Sequence, residues 1–391
     1  MEVLPAALTL EPEGSFARRV FHERHPALVR QLCASHPYTL KQRRALTTLL
    51  EESASDAPIP SLPDDAPDRA LWEEWDHGHI GRPWAKASFL WAESYFYRQL
   101  LEAVDFFTPG DWYRVDPFGP MKVEELCDPS LESDFAWLDR LDRAVPHAAF
   151  NALLLACLYG NRADLGFRFD ARGQPEHVSA TQDQLVADDS AALWSFLAEH
   201  APQRICFVAD NAGRELLADL LLIDHFLSHS LATEVALHVK PLPYYVSDAS
   251  VADVGTCLRR LAAMPGEASA AGHRIQDAAA NDRVQVRAHP FYCAPLSFRH
   301  MPEDLANEFR KAELTIFKGD LNYRRIVGDR DWDPTVPFVN AASYLPGPAV
   351  ALRTLKSDVI VGVDAMTVRE LDSSDPAWRT NGTRALIQAI L

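Results

Sequence analysis

The stretch Phe317-Lys318-Gly319-Asp320-Leu321-Asn322-Tyr323-Arg324-Arg325 directly follows the apolar run Leu314-Thr315-Ile316. An apolar strand that ends in cations, a carboxylate and an amide is costly unless those groups hold something. Lys318 and Arg324 can hold an anion, Asp320 and Asn322 can hold a metal or hydroxyls, and Gly319 allows close approach of the backbone. The same residues also suit a strand-to-helix turn whose charges face water.

A second cluster lies in Ile205-Cys-Phe-Val-Ala-Asp210-Asn211-Ala-Gly213-Arg-Glu215, which reads as a strand running into a helix. Asp210 and Asn211 offer hard oxygen donors that can converge on one divalent cation, or they form an Asx turn that caps the helix. Glu215, in the first helical turn, either stabilises the helix N-terminus or faces a ligand. Further on, His238-Val-Lys-Pro-Leu-Pro-Tyr244-Tyr245-Val246-Ser247-Asp248 brings another carboxylate to the start of a helix. Asp248 is a cap there, unless its strand lies beside the previous one. In that case Asp210, Asn211 and Asp248 make an open-sided Mg²⁺/Mn²⁺-type site. Arg353-Thr354-Leu355-Lys356 suits an oxyanion or a solvated basic turn. Tyr159-Gly160-Asn161-Arg162-Ala163-Asp164-Leu165 reads as a helix C-cap followed by a turn.

These residues need elements to position them. Apolar residues at three- and four-residue spacing predict helices over 27–33, 40–50, 85–104, 135–144 and 148–158, with a Pro/Asp/Ser-rich loop over 53–67. A polar stretch over 171–189 then separates this half from a different pattern. Strands are expected at 205–209, 235–239, 284–288, 314–317 and 359–363, with helices at 191–200, 216–230, 251–263 and 305–311 between them. Alternation of this kind implies an α/β fold: a Rossmann-like, mostly parallel sheet with helices on both faces, following a mainly helical N-terminal domain. The expected domains are 1–165 and 166–391, with ligands beyond the carboxyl ends of the strands.

The chain has 391 residues, enough for two domains or one large α/β domain. Its 55 acidic and 38 basic residues leave a net charge of −17, which argues against nucleic acid or an anionic membrane as a partner. A small phosphate remains possible where a cation reverses the sign locally. The six cysteines are scattered without a CxxC pair, which suggests a reducing, cytoplasmic setting. Residues 1–20 lack the pattern of a signal peptide, and the apolar stretch 216–230 is interrupted by Asp219 and Asp224. Nothing calls for an obligate protein partner. GxGxxG, P-loop, GxSxG and HExxH motifs are absent. Ala212 stands where a haloacid-dehalogenase-type phosphatase would carry its second aspartate.

In this order, the segments resemble the DUF89 family of metal-dependent phosphatases, which are proposed to act in metabolite damage control. The similarity rests on Asp210-Asn211-x-Gly213-x-Glu215, on His238-Val-Lys-Pro leading to Asp248, and on Lys318-Gly-Asp-Leu-Asn-Tyr-Arg324. Arg353-Thr-Leu-Lys356 resembles the RTxK signature of subfamily III. Arg82-Pro-Trp, Ala92-Glu93-Ser94-Tyr95-Phe96-Tyr97-Arg98 and the 159–165 motif resemble the family's helical half, so the likeness spans roughly residues 80–365.

The resemblance implies one divalent metal ion (Mn, Mg, Co or Ni) on Asp210, Asn211 and Asp248. It also implies a phosphorylated substrate surrounded by Glu215, Asp320, Asn322, Tyr323, Arg324 and Lys356, with Lys318 as a further candidate. Asp210 and Asp248 would be the catalytic carboxylates. The implied activity is hydrolysis of small sugar phosphates such as fructose 1-phosphate or fructose 6-phosphate. The alternative is an S-adenosylmethionine-dependent protein carboxyl methyltransferase.

Overall fold

A computed structural model describes residues 4–55, 57–160 and 184–391. Asn161 to Leu165 of the 159–165 motif, residues 171–183 of the polar stretch and the expected domain boundary lie outside the described residues.

The strands form one seven-stranded sheet: β1 (Leu185–Asp188), β2 (Gln203–Val208), β3 (Ala232–Val239), β4 (Val284–Ala288), β5 (Leu314–Lys318), β6 (Ala349–Thr354) and β7 (Ala385–Ile390). Their order is β1-β7-β6-β5-β2-β3-β4. β2 to β6 run parallel, whereas β7 is antiparallel to β6 and carries β1 beside it. From β2 the chain steps outward through β3 to β4, then returns to the other side of β2 with β5. This reversal makes a switch point between β2 and β5, where loops leaving in opposite directions open a crevice at the carboxyl edge.

Side chains alternate across the sheet as the strand period of two requires. In β2, Cys206 and Val208 join one core with the helical residues up to Phe118, while Ile205 and Phe207 join a second core with the Pro146–Tyr159 and Arg214–Ser228 helices. Phe317 of β5 faces the first core, and Leu314 and Ile316 face the second. Both faces are covered, which explains why these strands read as continuous apolar runs. Among the described residues, no helix is long and apolar enough to cross a membrane.

Several expected elements differ. Val359, Ile360, Val361 and Val363 are buried but form no strand. Their backbone groups are met elsewhere: Val359 O accepts from Arg353, Val361 O accepts from Gln388, and Val363 N–H donates to Pro334 O. The tetrapeptide 353–356 therefore does not lead into a strand at 359–363; its first two residues end β6. β1, β6, β7 and the Gly266–Ala280 helix were not expected from periodicity. The segment after Lys318 is a helix, Gly319–Val327, so β5 passes directly into it. The helix expected at 135–144 is replaced by Ser130–Phe135 and a 3-10 turn, Ala136–Arg140.

Candidate active site at the carboxyl edge of the sheet

β2 and β3 are neighbours, and Val208 pairs with His238 at their carboxyl ends. Beyond β3 the chain turns back through two prolines and Tyr245, whose φ of 50° is held by stacking on Tyr97 at 4.6 Å. Asp248 thereby returns beside Asn211 as an antiparallel bridge. Ala212 N–H donates to Ser247 O at 2.7 Å, and Ala249 N–H donates to Asp210 O at 2.8 Å. Backbone hydrogen bonds thus hold Asp210, Asn211 and Asp248 together, so the adjacency on which their joint role depends is present.

The side chains form a nearly closed cluster, with Asp210 6% and Asp248 4% exposed. Asn211 Nδ2 donates to Asp210 Oδ2 at 3.0 Å and to Glu215 Oε2 at 2.8 Å. Asn211 Oδ1 accepts from Ser247 Oγ at 2.5 Å. Among the described residues, Asp210 Oδ1 has no hydrogen-bond partner, and neither has Asp248 Oδ2. Lys240 Nζ stands 3.3 Å from Asp248 Oδ2, at ion-pair distance but outside hydrogen-bond geometry. Burial, followed by the charges of Asp248 and Glu215, pushes the Asp210 carboxyl well above the usual range. Burial also raises Asp248 to about 6, against the pull of Lys240.

Crowded, desolvated carboxylates with unsatisfied oxygens are an arrangement that a cation relieves. Among the described residues, no three His, Cys, Asp or Glu side chains gather as a metal-binding group. The donor set here is two carboxylates and one amide. Two buried hard oxygens without a hydrogen bond among the described residues fit a divalent cation.

The other wall is β5. Gly319 has φ of 83°, and a β-carbon there would overlap Asp210 Oδ2, so only glycine lets β5 and β2 approach this closely. Asn322 Nδ2 fastens the new helix to Ala209 O at 3.1 Å and Lys318 O at 2.8 Å, while its Oδ1 is buried without a hydrogen-bond partner among the described residues. Asp320 Oδ1 accepts from Arg353 Nε at 2.8 Å and from Lys356 N–H at 3.1 Å. Burial opposes ionisation of Asp320, but Arg353 and Arg324 hold its carboxyl below the usual range. Lys356 is half-buried, its charge acts on Asp210, and among the described residues its ammonium has no partner.

Three residues expected around a substrate are instead engaged with protein groups. Lys318 Nζ is turned to Cys157 O, Glu215 Oε1 and Asp219 Oδ1, the two carboxylates each at 3.4 Å. It braces Glu215 from behind. Tyr323 Oη donates to Gln388 Oε1 at 2.9 Å and accepts from Val361 N–H at 3.2 Å. Arg324 is divided between Asp329 at 2.9 and 3.0 Å and Glu93 at 2.6 Å, with its guanidinium over Phe89. These are interior contacts: Lys318 ends β5 on the face it shares with Ile316, and the helix from Gly319 turns Tyr323 and Arg324 into the protein.

Sequence reasoning missed four contributors. Lys240 and Ser247 stood in motifs already noted, but their direction depends on the return of the 240–250 loop. Asp219 lay in an apolar helix and looked like an interruption. Glu125 is distant in sequence; its Oε1 accepts from Arg214 N–H at 3.1 Å, and its carboxylate fills the space beside Gly213. Two cavities of about 250 and 420 Å³ flank Pro241-Leu242-Pro243, and neither is lined by Asp210 or Asp248. The larger one reaches Ala212.

The description "Damage-control phosphatase ARMT1-like domain" matches residues 20–371. The chain belongs to the ARMT1-like damage-control phosphatase family. It is 30% identical to Damage-control phosphatase ARMT1 of Danio rerio, over 98% of this chain and 96% of that one. The proteins of the same name from Mus musculus and Homo sapiens are 30% and 28% identical, with coverage of 98% or 99% on both sides. A solved DUF89 family protein from Pyrococcus horikoshii aligns with a TM-score of 0.52 at 16% identity, covering 95% of this chain and 96% of that one; that likeness bears on the fold. The DUF89 resemblance and the expected α/β fold are both borne out. The ARMT1-like matches do not favour the methyltransferase alternative.

Proposed function

We propose that this chain hydrolyses phosphate monoesters of small metabolites, with sugar phosphates such as fructose 1-phosphate or fructose 6-phosphate as the preferred class. Membership of a phosphatase family supports the reaction type. The observation that carries the reading is the pair of buried oxygens, Asp210 Oδ1 and Asp248 Oδ2, that lack a hydrogen bond among the described residues at the switch point of the sheet.

Asp210, Asn211 and Asp248 would hold one divalent cation, as the DUF89 resemblance implies. Such a cation supplies Lewis-acid polarisation of the phosphoryl group and offsets its charge. The chain's own residues do the rest. Lys356, whose ammonium has no partner among the described residues, neutralises charge on the phosphoryl oxygens, as phosphoryl transfer requires. Asp320 fixes the Lys356 backbone and thereby the root of that side chain. Glu215 and Asn211 orient Asp210 through the hydrogen bonds they share. One water is consumed, the ester P–O bond breaks, and the alcohol and inorganic phosphate leave.

The test is phosphate release from a panel of sugar phosphates, after chelation and then with Mn²⁺, Mg²⁺, Co²⁺ or Ni²⁺ restored. Release is expected to require metal and to disappear in Asp210→Asn. Failure of the folded protein to release phosphate from any compound with any metal would defeat the reading.

A further inference from the structure

Lys240 directly follows the last residue of β3 and is 1% exposed. Its backbone N–H donates to Ala249 O at 2.8 Å, and Pro241 fixes the chain immediately after it. Its position is therefore set by the same loop that returns Asp248 to Asn211. Its ammonium lies 3.3 Å from Asp248 Oδ2 and has no hydrogen-bond acceptor among the described residues. The ring of Tyr292 is 5.9 Å away.

The other buried cations nearby are engaged. Lys318 is held by Cys157 O, Glu215 and Asp219. Lys122 Nζ donates to Asp116, Asp253 and Asp248 O. Arg324 is held by Asp329 and Glu93. Lys240 remains as the buried cation facing the carboxylate pair. At ion-pair distance and without a hydrogen bond, it contributes charge to the cluster and imposes little direction.

We propose that Lys240 is an internal counter-ion of the Asp210–Asp248 pair that competes with the divalent cation for the same negative charge, and so limits how tightly that cation is held. The inference rests on the reading of Asp210, Asn211 and Asp248 as the metal site. Without metal, the Lys240 ammonium offsets the repulsion between the two carboxylates. With metal, the same ammonium faces a like charge and weakens its hold. A lysine that merely braced Asp248 would act in the opposite sense, because its loss would loosen the carboxylate and weaken binding.

The experiment is calorimetric titration of Mn²⁺, Mg²⁺, Co²⁺ and Ni²⁺ into the chelator-stripped full chain, comparing wild type with Lys240→Met, Lys240→Gln and Lys240→Arg. The two neutral variants are expected to bind metal about tenfold more tightly or better, from the loss of one repelling charge at this range. Lys240→Arg, which keeps the charge, is expected to stay close to wild type. The stripped neutral variants should also melt lower than stripped wild type and gain more on adding metal. Lys240→Gln keeps the test open where Lys240→Met fails to fold. Equal or weaker metal binding by the neutral variants would overturn the inference and leave the metal site standing. A folded wild type that binds none of the four cations would instead overturn the metal site, and the inference with it.

Discussion

The carboxylate of Asp210 occupies the space that a side chain at residue 319 would need. Gly319 opens the helix after β5 with φ of 83°, and any β-carbon there would run into Asp210 Oδ2. Gly319→Ala is therefore opposed twice, by backbone conformation and by overlap with the site. We expect phosphate release to fall about a hundredfold or more, as small misplacements at a reacting centre do. Steady-state rates would check this, and a near-wild-type rate would separate Asp210 from the reaction.

Two lysines from adjacent strand ends should behave in opposite ways. Lys318 is buried among Glu215, Asp219 and the Cys157 carbonyl, so Lys318→Met strands two carboxylates in the interior. Unfolding free energy should drop by about 3–5 kcal/mol, as in other broken buried pairs. Lys356→Met should leave the denaturant midpoint almost unchanged and cut kcat/KM steeply. Measuring both quantities on both variants decides whether the two roles are as different as their surroundings.

Arg353→Lys should not be conservative. The guanidinium donates to Asp320 Oδ1 at 2.8 Å, Val359 O at 2.6 Å and Ser357 O at 3.0 Å, and it lies over the Tyr323 ring at 4.3 Å. An ammonium cannot reproduce that fork, so about 2–4 kcal/mol of stability should be lost. Because Asp320 also holds the Lys356 backbone, activity should fall as well. Retention of full activity would show that Lys356 needs no such anchorage.

Acid should destabilise the fold through its buried histidines. Burial first, with Arg24 adding to it, lowers His25 to about 3; burial, followed by His229, lowers His225 to about 3. Burial also lowers His238 to about 4, against an ordinary value of 6.5. The folded protein keeps these rings neutral while the unfolded chain takes up protons near 6.5. Stability is thus fully present above about pH 6.5 and is lost progressively toward pH 4, at roughly 1.4 kcal/mol per pH unit for each ring. His25 stacks on Phe96 at 3.7 Å with neither ring nitrogen bonded, so His25→Leu should flatten the slope by one proton. Equal slopes in urea titrations between pH 6.5 and 4 would refute this.

β2, β3 and β5 were legible because each carries a short run of apolar residues covered on both faces, and β4 because Val284 and Val286 alternate with polar residues at the sheet edge. β6 and β7 were not. One is rich in alanine and ends in Arg353-Thr354, and the other carries Gln388 at its centre. The run 359–363 misled for a related reason: β-branched residues look the same whether their backbone is met by a strand or by Arg353, Tyr323 and Gln388. In the site, Asp210, Asn211 and Asp248 could be read because strand exits converge whenever the strands are neighbours. The directions of Tyr323 and Arg324 could not, since they follow from a helix that begins at Gly319, and that of Lys318 depends on which helices cover its face of β5.

β7 is laid down last, between β6 and β1, although its partners precede it in the chain by tens to hundreds of residues. During synthesis, β6 keeps an open edge and β1 has no neighbour until residues 385–390 emerge. Gln388, which ties Tyr323 and Val361 together, arrives with them. The vectorial order of translation therefore delays closure of the structure behind the β5 helix until residues 385–390 have been made. A nascent chain stalled a few residues earlier would carry every proposed site residue and still expose the edge strand most open to mispairing.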